Sequence, residues 1–234
     1  MNRILYPGLA AGLLALAACS STGRPDSATA ERAAGTTEAG TAQAPSRADT
    51  LLAEGERLQA QGRCRDALQP YGMAALEAGP ARGRALAAIH LCQWQLQRNQ
   101  AGEESFALWL RHELEQGQLP LRLLFQPGET RYLADARISA PYGMWLRHVA
   151  EALPQHHCLT LVGHAGPSTV EQRAAELALR RAQTVQRQLE RLVPALKDRI
   201  RPVAARPDQA IVGSASNDLR DALDRRVEFG IDPC

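Results

Sequence analysis

Two adjacent arginines, Arg180 and Arg181, lie in the segment ELALRRAQTV, which otherwise has the pattern of an amphipathic helix. Neighbours on a helix point about 100° apart, so only one of the two can face inward. The apolar stripe of this helix contains Arg181 and leaves Arg180 on the solvent side; its other members are Val170, Ala174, Ala178, Ala182, Val185, Leu189 and Leu192. An unpaired buried charge is unfavourable. Arg181 is therefore expected to bond a carboxylate inside the protein or to meet an anionic ligand, unless its head reaches water past a packed stem.

The histidines and the other reactive residue types are not arranged for catalysis. His156 and His157 are adjacent before a predicted strand and would point to opposite sides, and neither they nor His164 have the i, i+4 companion of a helical zinc site. The sequence contains no nucleophile motif, no paired-carboxylate signature and no phosphate-binding loop. We therefore expect no metal, no cofactor and no enzymatic activity, which argues against a cell-wall hydrolase.

The N-terminus has the pattern of an export signal. Arg3 precedes an apolar run, Ile4 to Ala18, that is too short to span a bilayer. The run ends in LAAC, which resembles a bacterial lipobox, so residues 1–18 are predicted to be a lipoprotein signal peptide and Cys19 the first mature residue, carrying the acyl chains. An ordinary secretory signal is the alternative. By resemblance to lipoproteins of Gram-negative bacteria, Ser20 in place of an aspartate indicates a lipid anchor in the outer membrane, with the protein facing the periplasm.

The remaining cysteines also fit an exported protein. Without Cys19, four of the five cysteines are left, an even set of the kind that forms disulfides in an oxidising compartment. Four cysteines allow three pairings. Cys64 and Cys92 fall in one predicted helical region, whereas Cys158 and Cys234 flank strands of another, so we expect pairing within each region. Four free buried thiols are the alternative.

Composition limits the class of protein and the number of domains. The 234 residues carry a net charge of +2 with arginines spread along the chain, which argues against a nucleic-acid partner. This length suffices for one or two modest domains. Residues 19–47 are rich in Ser, Thr, Ala, Gly, Glu and Pro with almost no large apolar side chain, and we predict a disordered tether there.

Residues 48–118 are predicted to form a helical module of two to four helices, with a break around EAGPARG. Its first part resembles a tetratricopeptide helix pair, in which small residues let two antiparallel helices approach closely. The positions that carry this resemblance are Gly55, Leu58, Gly62, Ala67 and Tyr71. A generic helical hairpin or bundle is the alternative. In either case we expect the module to bind a protein partner.

From residue 119 onward, strands are predicted to alternate with helices. The segments predicted as strands are LRLLF, CLTLVGHAG, Ile200 to Ala204 and RRVEFGI. The segments predicted as helices are APYGMWLRHVAEAL and a longer one from about Thr169 to Val193. This alternation predicts an α/β layer in the C-terminal half. The fold class of the whole chain is therefore α+β, with helical hairpins followed by a sheet domain over residues 119–234.

Four segments of this half, LLFQPGETRYL, LTLVGHAG, ELALRRAQTVQRQL and DRRVEFGI, resemble the OmpA-like peptidoglycan-associating domain in order. The most specific pieces are the step Arg181-Ala182 and the run DRRVE from Asp224 to Glu228. The resemblance implies a mixed sheet with helices on one side. It also implies that Arg181 grips a carboxylate of diaminopimelate in the peptidoglycan stem peptide, in the bidentate geometry that arginine favours.

Several positions depart from the family pattern. Gly166 stands where the family has an aspartate for the diaminopimelate ammonium, Ala174 stands where it has an asparagine, and His164 replaces an aromatic or hydrophobic residue. The candidate site is therefore Arg181, His164 and Gly166, with Asp224 as a candidate carboxylate partner of the arginine. Two hypotheses remain. The first is a lipoprotein associating noncovalently, and weakly, with peptidoglycan; the second is a protein-interaction lipoprotein of an envelope or secretion assembly that has lost this binding.

Overall fold

The computed structural model describes residues 45–167, 173–206, 209–216 and 218–234. The predicted signal peptide, Cys19 and nearly all of the predicted tether lie outside these residues. Within the described ranges, no helix combines the length and the apolar character needed to cross a bilayer.

Four helices form the first part of the described chain: α1 (Arg47–Ala60), α2 (Cys64–Leu76), α3 (Ala81–Gln95) and α4 (Asn99–Glu115). Ser46 caps α1 in a capping box, because its hydroxyl accepts from the Asp49 N–H at 3.1 Å and the Asp49 carboxylate accepts from the Ser46 N–H at 3.2 Å. α1 and α2 approach closely at Gly55, where an added Cβ would overlap the Tyr71 ring. The predicted break coincides with the α2–α3 connection.

The second part contains four strands: β1 (Arg122–Leu124), β2 (His157–Gly163), β3 (Ile200–Ala204) and β4 (Arg226–Pro233). Their order in the sheet is β1-β4-β2-β3. β4 is antiparallel to β1 and β2, with Leu123 opposite Val227 and Leu161 opposite Phe229, while β3 is parallel to β2. The helices here are α5 (Ala136–Ser139), α6 (Tyr142–Ala152) and α7 (Ala174–Leu192), and α7 packs on β2 and β3. The predicted α+β class with a mixed sheet is confirmed.

Some elements differ from the sequence prediction. α7 begins at Ala174, and its predicted start from about Thr169, including Val170 of the apolar stripe, lies outside the described residues. Leu192 was placed in the buried stripe but is 45% exposed, whereas Leu177 is buried. Leu192 is the last residue of the helix, where less of the protein packs around it. The short helix α5 and the 3₁₀ helices Pro194–Leu196 and Arg220–Asp224 were not predicted.

The described chain has two hydrophobic clusters. One is formed by α1, α2 and α3; the other lies between the sheet and the helices α6 and α7. Phe106, Trp109 and Leu110 of α4 belong to this second cluster, so α4 packs against α3 and also completes the sheet core. Of the three tryptophans, Trp109 and Trp145 are buried and Trp94 is partly buried.

Two disulfides are present, Cys64–Cys92 and Cys158–Cys234, each with its Cα atoms 5.0 Å apart. This is the local pairing that the sequence favoured. The first joins the start of α2 to α3, and the second fixes the end of β4 to the start of β2. Each bridge therefore closes a loop within its own part of the fold, which restricts the unfolded chain.

Candidate functional site

Helix α7 lies unusually close to strand β2 at the point where the strand ends. A Cβ added to Gly163 would overlap the Ala178 carbonyl oxygen of α7. One turn further along α7, Arg181 therefore points past the end of β2 toward the loop that follows β1. The lack of a side chain at Gly163 thus positions the arginine.

The guanidinium of Arg181 is completely buried, with 0% of the residue exposed. Its nitrogens donate to three backbone carbonyl oxygens, each at 2.9 Å: Nε to Glu129, Nη1 to His164 and Nη2 to Gln126. The guanidinium carbon also lies 5.6 Å from the ring centroid of Phe125, a cation–π distance. Arg181 therefore faces inward, as the helical periodicity predicts, and it ties the loop after β1 to the end of β2.

His164 directly follows β2 and contacts Arg181, and Gly166 follows two residues later. The backbone of His164 bridges two elements, because its N–H donates to the Arg226 carbonyl at 2.8 Å and its carbonyl accepts from Arg181. Its ring is buried, with Nε2 3.4 Å from Oε2 of Glu228. Gly166 is buried two residues further on. The structure therefore brings His164 and Arg181 together, and Gly166, at the position of the family aspartate, contributes no carboxylate.

Asp224 has a different role from the one considered from the sequence. Its carboxylate accepts three backbone N–H groups, from Ile211 at 2.5 Å, Val212 at 2.9 Å and Gly213 at 2.8 Å. Among the described residues, the hydrogen bonds and ion pairs of Asp224 do not include Arg181. Asp224 therefore holds the loop that precedes β4 in place, and the proposed Arg181–Asp224 partnership is not found.

The two arginines that follow Asp224 also bond atoms of this chain. Nε of Arg225 donates to the Phe125 carbonyl at 3.3 Å, and Nη1 of Arg226 donates to the Leu223 carbonyl at 2.8 Å. Nε of Arg226 also donates to Glu228 at 2.8 Å. Both side chains are buried. The charged residues of the run DRRVE therefore hold the turn before β4 and the adjoining strands together.

Burial and neighbouring charges shift the pKa values of two groups in this cluster, His164 and Glu228. Burial, and secondarily the charge of Arg226, lowers the pKa of His164. Burial alone would raise the pKa of Glu228, but its hydrogen bond with Arg226 and the charge of that arginine outweigh burial and lower the pKa. His164 is therefore neutral at neutral pH and Glu228 ionised, so the ion-pair network around Glu228 is formed by Arg122 and Arg226.

Sequence reasoning missed the atoms that bind Arg181. The carbonyls of Gln126 and Glu129 lie on either side of Pro127 and Gly128, in the turn after β1. Gly128 has a positive φ of 67°, and a Pro-Gly step is a turn signal that could have placed a tight loop here. The sequence contains no signal for which side chain the carbonyls of this loop would bind.

The other histidines considered for metal binding lie apart from this cluster. His156 is exposed before β2, and His157 is the first residue of the strand. In the described part of the chain, no three His, Cys, Asp or Glu side chains come close enough together to hold a metal ion.

Comparison with known proteins gives a coarse likeness in fold. The peptidoglycan-associated lipoprotein of Burkholderia pseudomallei is similar at a TM-score of 0.39 and 17% identity, over 47% of this chain and 89% of that one. The periplasmic domain of MotB from Helicobacter pylori is similar at a TM-score of 0.37 and 16% identity, over 47% of this chain and 68% of that one. No protein-family model matches the chain, and no curated protein does. At such low values the likeness says nothing about ligands.

Proposed function

We propose that this chain is a non-enzymatic, lipid-anchored protein of the bacterial outer membrane whose two folded parts organise protein partners in the envelope. In this proposal the OmpA-like domain serves as a scaffold, and the diaminopimelate grip implied by the resemblance is lost. The lipobox-like LAAC and the even number of remaining cysteines support the compartment.

The burial of Arg181 is the observation that carries this proposal. A bidentate grip on a ligand carboxylate needs guanidinium N–H groups that face a groove. Arg181 instead has 0% exposure and donates to three carbonyl oxygens of its own chain. Opening this site to a ligand would leave buried carbonyls without donors, at about 1 to 3 kcal/mol each.

The neighbouring positions point the same way. Diaminopimelate is a zwitterion at its far end, so a binding site needs a cation for the carboxylate and an anion for the ammonium. Gly166 supplies no anion, and Ala174 at the start of α7 supplies no hydrogen-bonding side chain. The nearby carboxylate of Glu228 is engaged by Arg122 and Arg226.

Sedimentation with purified diaminopimelate-type sacculi tests the proposal. We expect the natural chain, and a Gly166→Asp variant that remains folded by thermal melting, to stay in the supernatant. We expect Arg181→Ala to lower the melting temperature without changing retention, while Arg180→Ala changes neither. The proposed function would be overturned if the natural chain sedimented with sacculi and a folded Arg181→Ala variant did not.

A second candidate function, weak noncovalent association with peptidoglycan, is favoured by the order of the four OmpA-like segments. Under this alternative a missing charge-assisted bond weakens binding by about 1.5 to 3 kcal/mol, or roughly ten- to a hundredfold. Gly166→Asp should then increase the fraction of protein that sediments with sacculi. An increase of this kind in the same assay would select the second function over the first.

A further inference from the structure

A cavity of about 940 Å³ lies where the α2–α3 connection, the start of α3 and the end of α4 meet the segment leading to β1. Its walls include Gly79, Gly83, Trp109, Glu113 and Gln118. The cavity is separate from the Arg181 cluster, because none of its lining residues belongs to α7, β2 or β4.

Glu113 is the unusual group in this wall. It is 7% exposed, yet among the described residues it takes part in no ion pair. Burial raises the pKa of its carboxyl group, and the charge of His112 and a hydrogen bond from Trp109 only partly oppose this effect. A carboxylate this deeply buried is stable as an anion only with a compensating cation or several donors.

Glu113 shares the cavity wall with a glycine and an aromatic ring. A side chain on Gly83 would overlap the Glu113 carboxylate, so the carboxylate packs directly against the backbone at the start of α3. Trp109 contributes an aromatic wall beside it, a surface that attracts cations electrostatically. A buried acid, an aromatic ring and a few polar groups around a cavity are the usual features of a binding site.

The charges around the cavity leave a small excess of negative charge. Glu113 and Glu115 are its two carboxylates, and Arg82 and Arg84 its two guanidiniums. The guanidinium of Arg84 is engaged by a third carboxylate, because its Nη2 lies 2.6 Å from Oε1 of Glu56. With the Arg84–Glu56 pair set aside, Glu113 and Glu115 remain beside Arg82, and His112 adds positive charge only when it is protonated. This balance favours a ligand carrying one positive charge.

We propose that this cavity binds the ammonium group of a lysine presented by an extended segment of a protein partner, with Glu113 as the charged contact and Trp109 as the aromatic wall. A lysine fits better than an arginine, because one nearly buried carboxylate offers a point contact and not the open two-oxygen edge that a guanidinium fork uses. The inference rests on the proposed protein-interaction role and specifies the partner group as a lysine side chain.

A structural role for Glu113 is the competing explanation. Its carboxylate lies against Gly83 in the first turn of α3, where the helix dipole favours negative charge. In that case, loss of the charge would lower stability, and the cavity would not discriminate between charged and neutral side chains.

Saturation-transfer NMR with the detergent-solubilised full chain separates the two explanations. The probes are blocked pentapeptides of four alanines with a central lysine, norleucine or glutamate. We expect millimolar binding of the lysine peptide that is at least about tenfold stronger than that of the norleucine peptide, because norleucine keeps the aliphatic stem and removes the charge. Equal binding of the two peptides, or no binding of either, would overturn the proposal without any variant.

Two variants then locate the site. Glu113→Gln keeps the shape of the side chain and should weaken the lysine peptide about tenfold. Glu104→Gln, at an exposed carboxylate of the same helix outside the cavity wall, should change its affinity less than about twofold. A folded Glu113→Gln protein with unchanged affinity would refute the assignment.

A stem peptide carrying the diaminopimelate ammonium serves as the last probe. If it binds through Glu113 at least about tenfold more tightly than the lysine peptide, the ligand is cell wall and the protein-partner proposal is wrong. Sacculus retention that depends on Arg181 would instead refute the proposed function, so the two failures are distinguishable.

Discussion

Arg180 and Arg181 are neighbours on α7, but the first is exposed to solvent and the second is buried. Arg180 is exposed and lies 3.4 Å from Oε1 of Glu176 in an i, i+4 pair. Arg181 is buried under the loop after β1. Surface ion pairs contribute little, whereas removal of a buried donor leaves its acceptors unsatisfied. Replacing Arg181 should therefore lower the free energy of unfolding much more than replacing Arg180.

Arg181→Ala should lower the free energy of unfolding by at least about 3 kcal/mol, because three carbonyl acceptors lose their charged donor. Arg180→Ala, the matched control, should change it by less than about 0.5 kcal/mol. Urea denaturation followed by circular dichroism measures both. Similar losses at the two positions would contradict the assignment of Arg181 as an internal staple.

His90 makes a second buried contact that depends on its protonation state. Its Nδ1–H donates to the Gly102 carbonyl at 2.7 Å, and its Nε2 accepts from the Trp145 indole N–H at 2.8 Å. This arrangement requires a neutral ring, because a protonated Nε2 would face another donor. Burial lowers the pKa of His90 below 6.5 more than the hydrogen bond with Gly102 raises it.

Acidification should therefore destabilise the protein through His90. Below pH 6.5 the unfolded chain takes up a proton that the folded chain does not, so stability falls as pH falls toward the lowered folded pKa. The loss is up to about 1.4 kcal/mol per pH unit. Denaturation of His90→Gln between pH 7 and 5 should show a flatter slope than the natural chain by this amount. Replacing the exposed His156 by Gln is the control, and an unchanged slope in His90→Gln would rule out this histidine.

At the scale of elements, Gly163 decides how closely α7 can lie on the sheet. Gly163→Ala should lower the free energy of unfolding by at least about 2 kcal/mol, since the added methyl group meets backbone that cannot rotate away. Gly230→Ala on β4 is the matched control, because its Cβ would lie 3.7 Å from Thr160, an ordinary contact. It should change stability by no more than about 1 kcal/mol. Chemical denaturation compares the two, and a tolerated Gly163→Ala would show that α7 can shift outward.

The element α4 also links the two parts of the chain. It pairs with α3 and inserts Phe106, Trp109 and Leu110 into the core under the sheet. The bond between His90 of α3 and Trp145 of α6 crosses the same boundary. The helical and sheet parts are therefore packed against each other and are not joined only by a linker.

At the scale of the whole molecule, the proposed lipid anchor is at Cys19, which lies outside the described residues. Cys19→Ala should abolish acylation and leave an uncleaved or soluble protein, because the apolar run before it is too short to span a bilayer. Membrane fractionation with metabolic fatty-acid labelling measures this, and Ser20→Ala is the neighbouring control. Normal processing and outer-membrane recovery of an unacylated Cys19→Ala protein would contradict the lipoprotein hypothesis.

The features that depend on neighbouring residues could be predicted from the amino-acid sequence. Alternating and helical periodicities predicted the strands and most helices, and the 3.6-residue repeat placed Arg181 inside and Arg180 outside. The region each cysteine lies in predicted the two disulfides. These features depend on residue types within a short window, which a single sequence displays directly.

The contacts of each inward-facing side chain, in contrast, could not be predicted from the sequence and depend on the fold. Two of the acceptors of Arg181 lie 52 and 55 positions away and are backbone carbonyls, which every residue possesses, so no residue type marks them in the sequence. Asp224 likewise binds N–H groups of a loop and not the arginine that charge pairing suggested. Helix α4 packs against α3 and also under the sheet because of where the helices cross. Leu192 is exposed because α7 ends there. Such contacts are set by the packing of distant elements, which a local pattern does not contain.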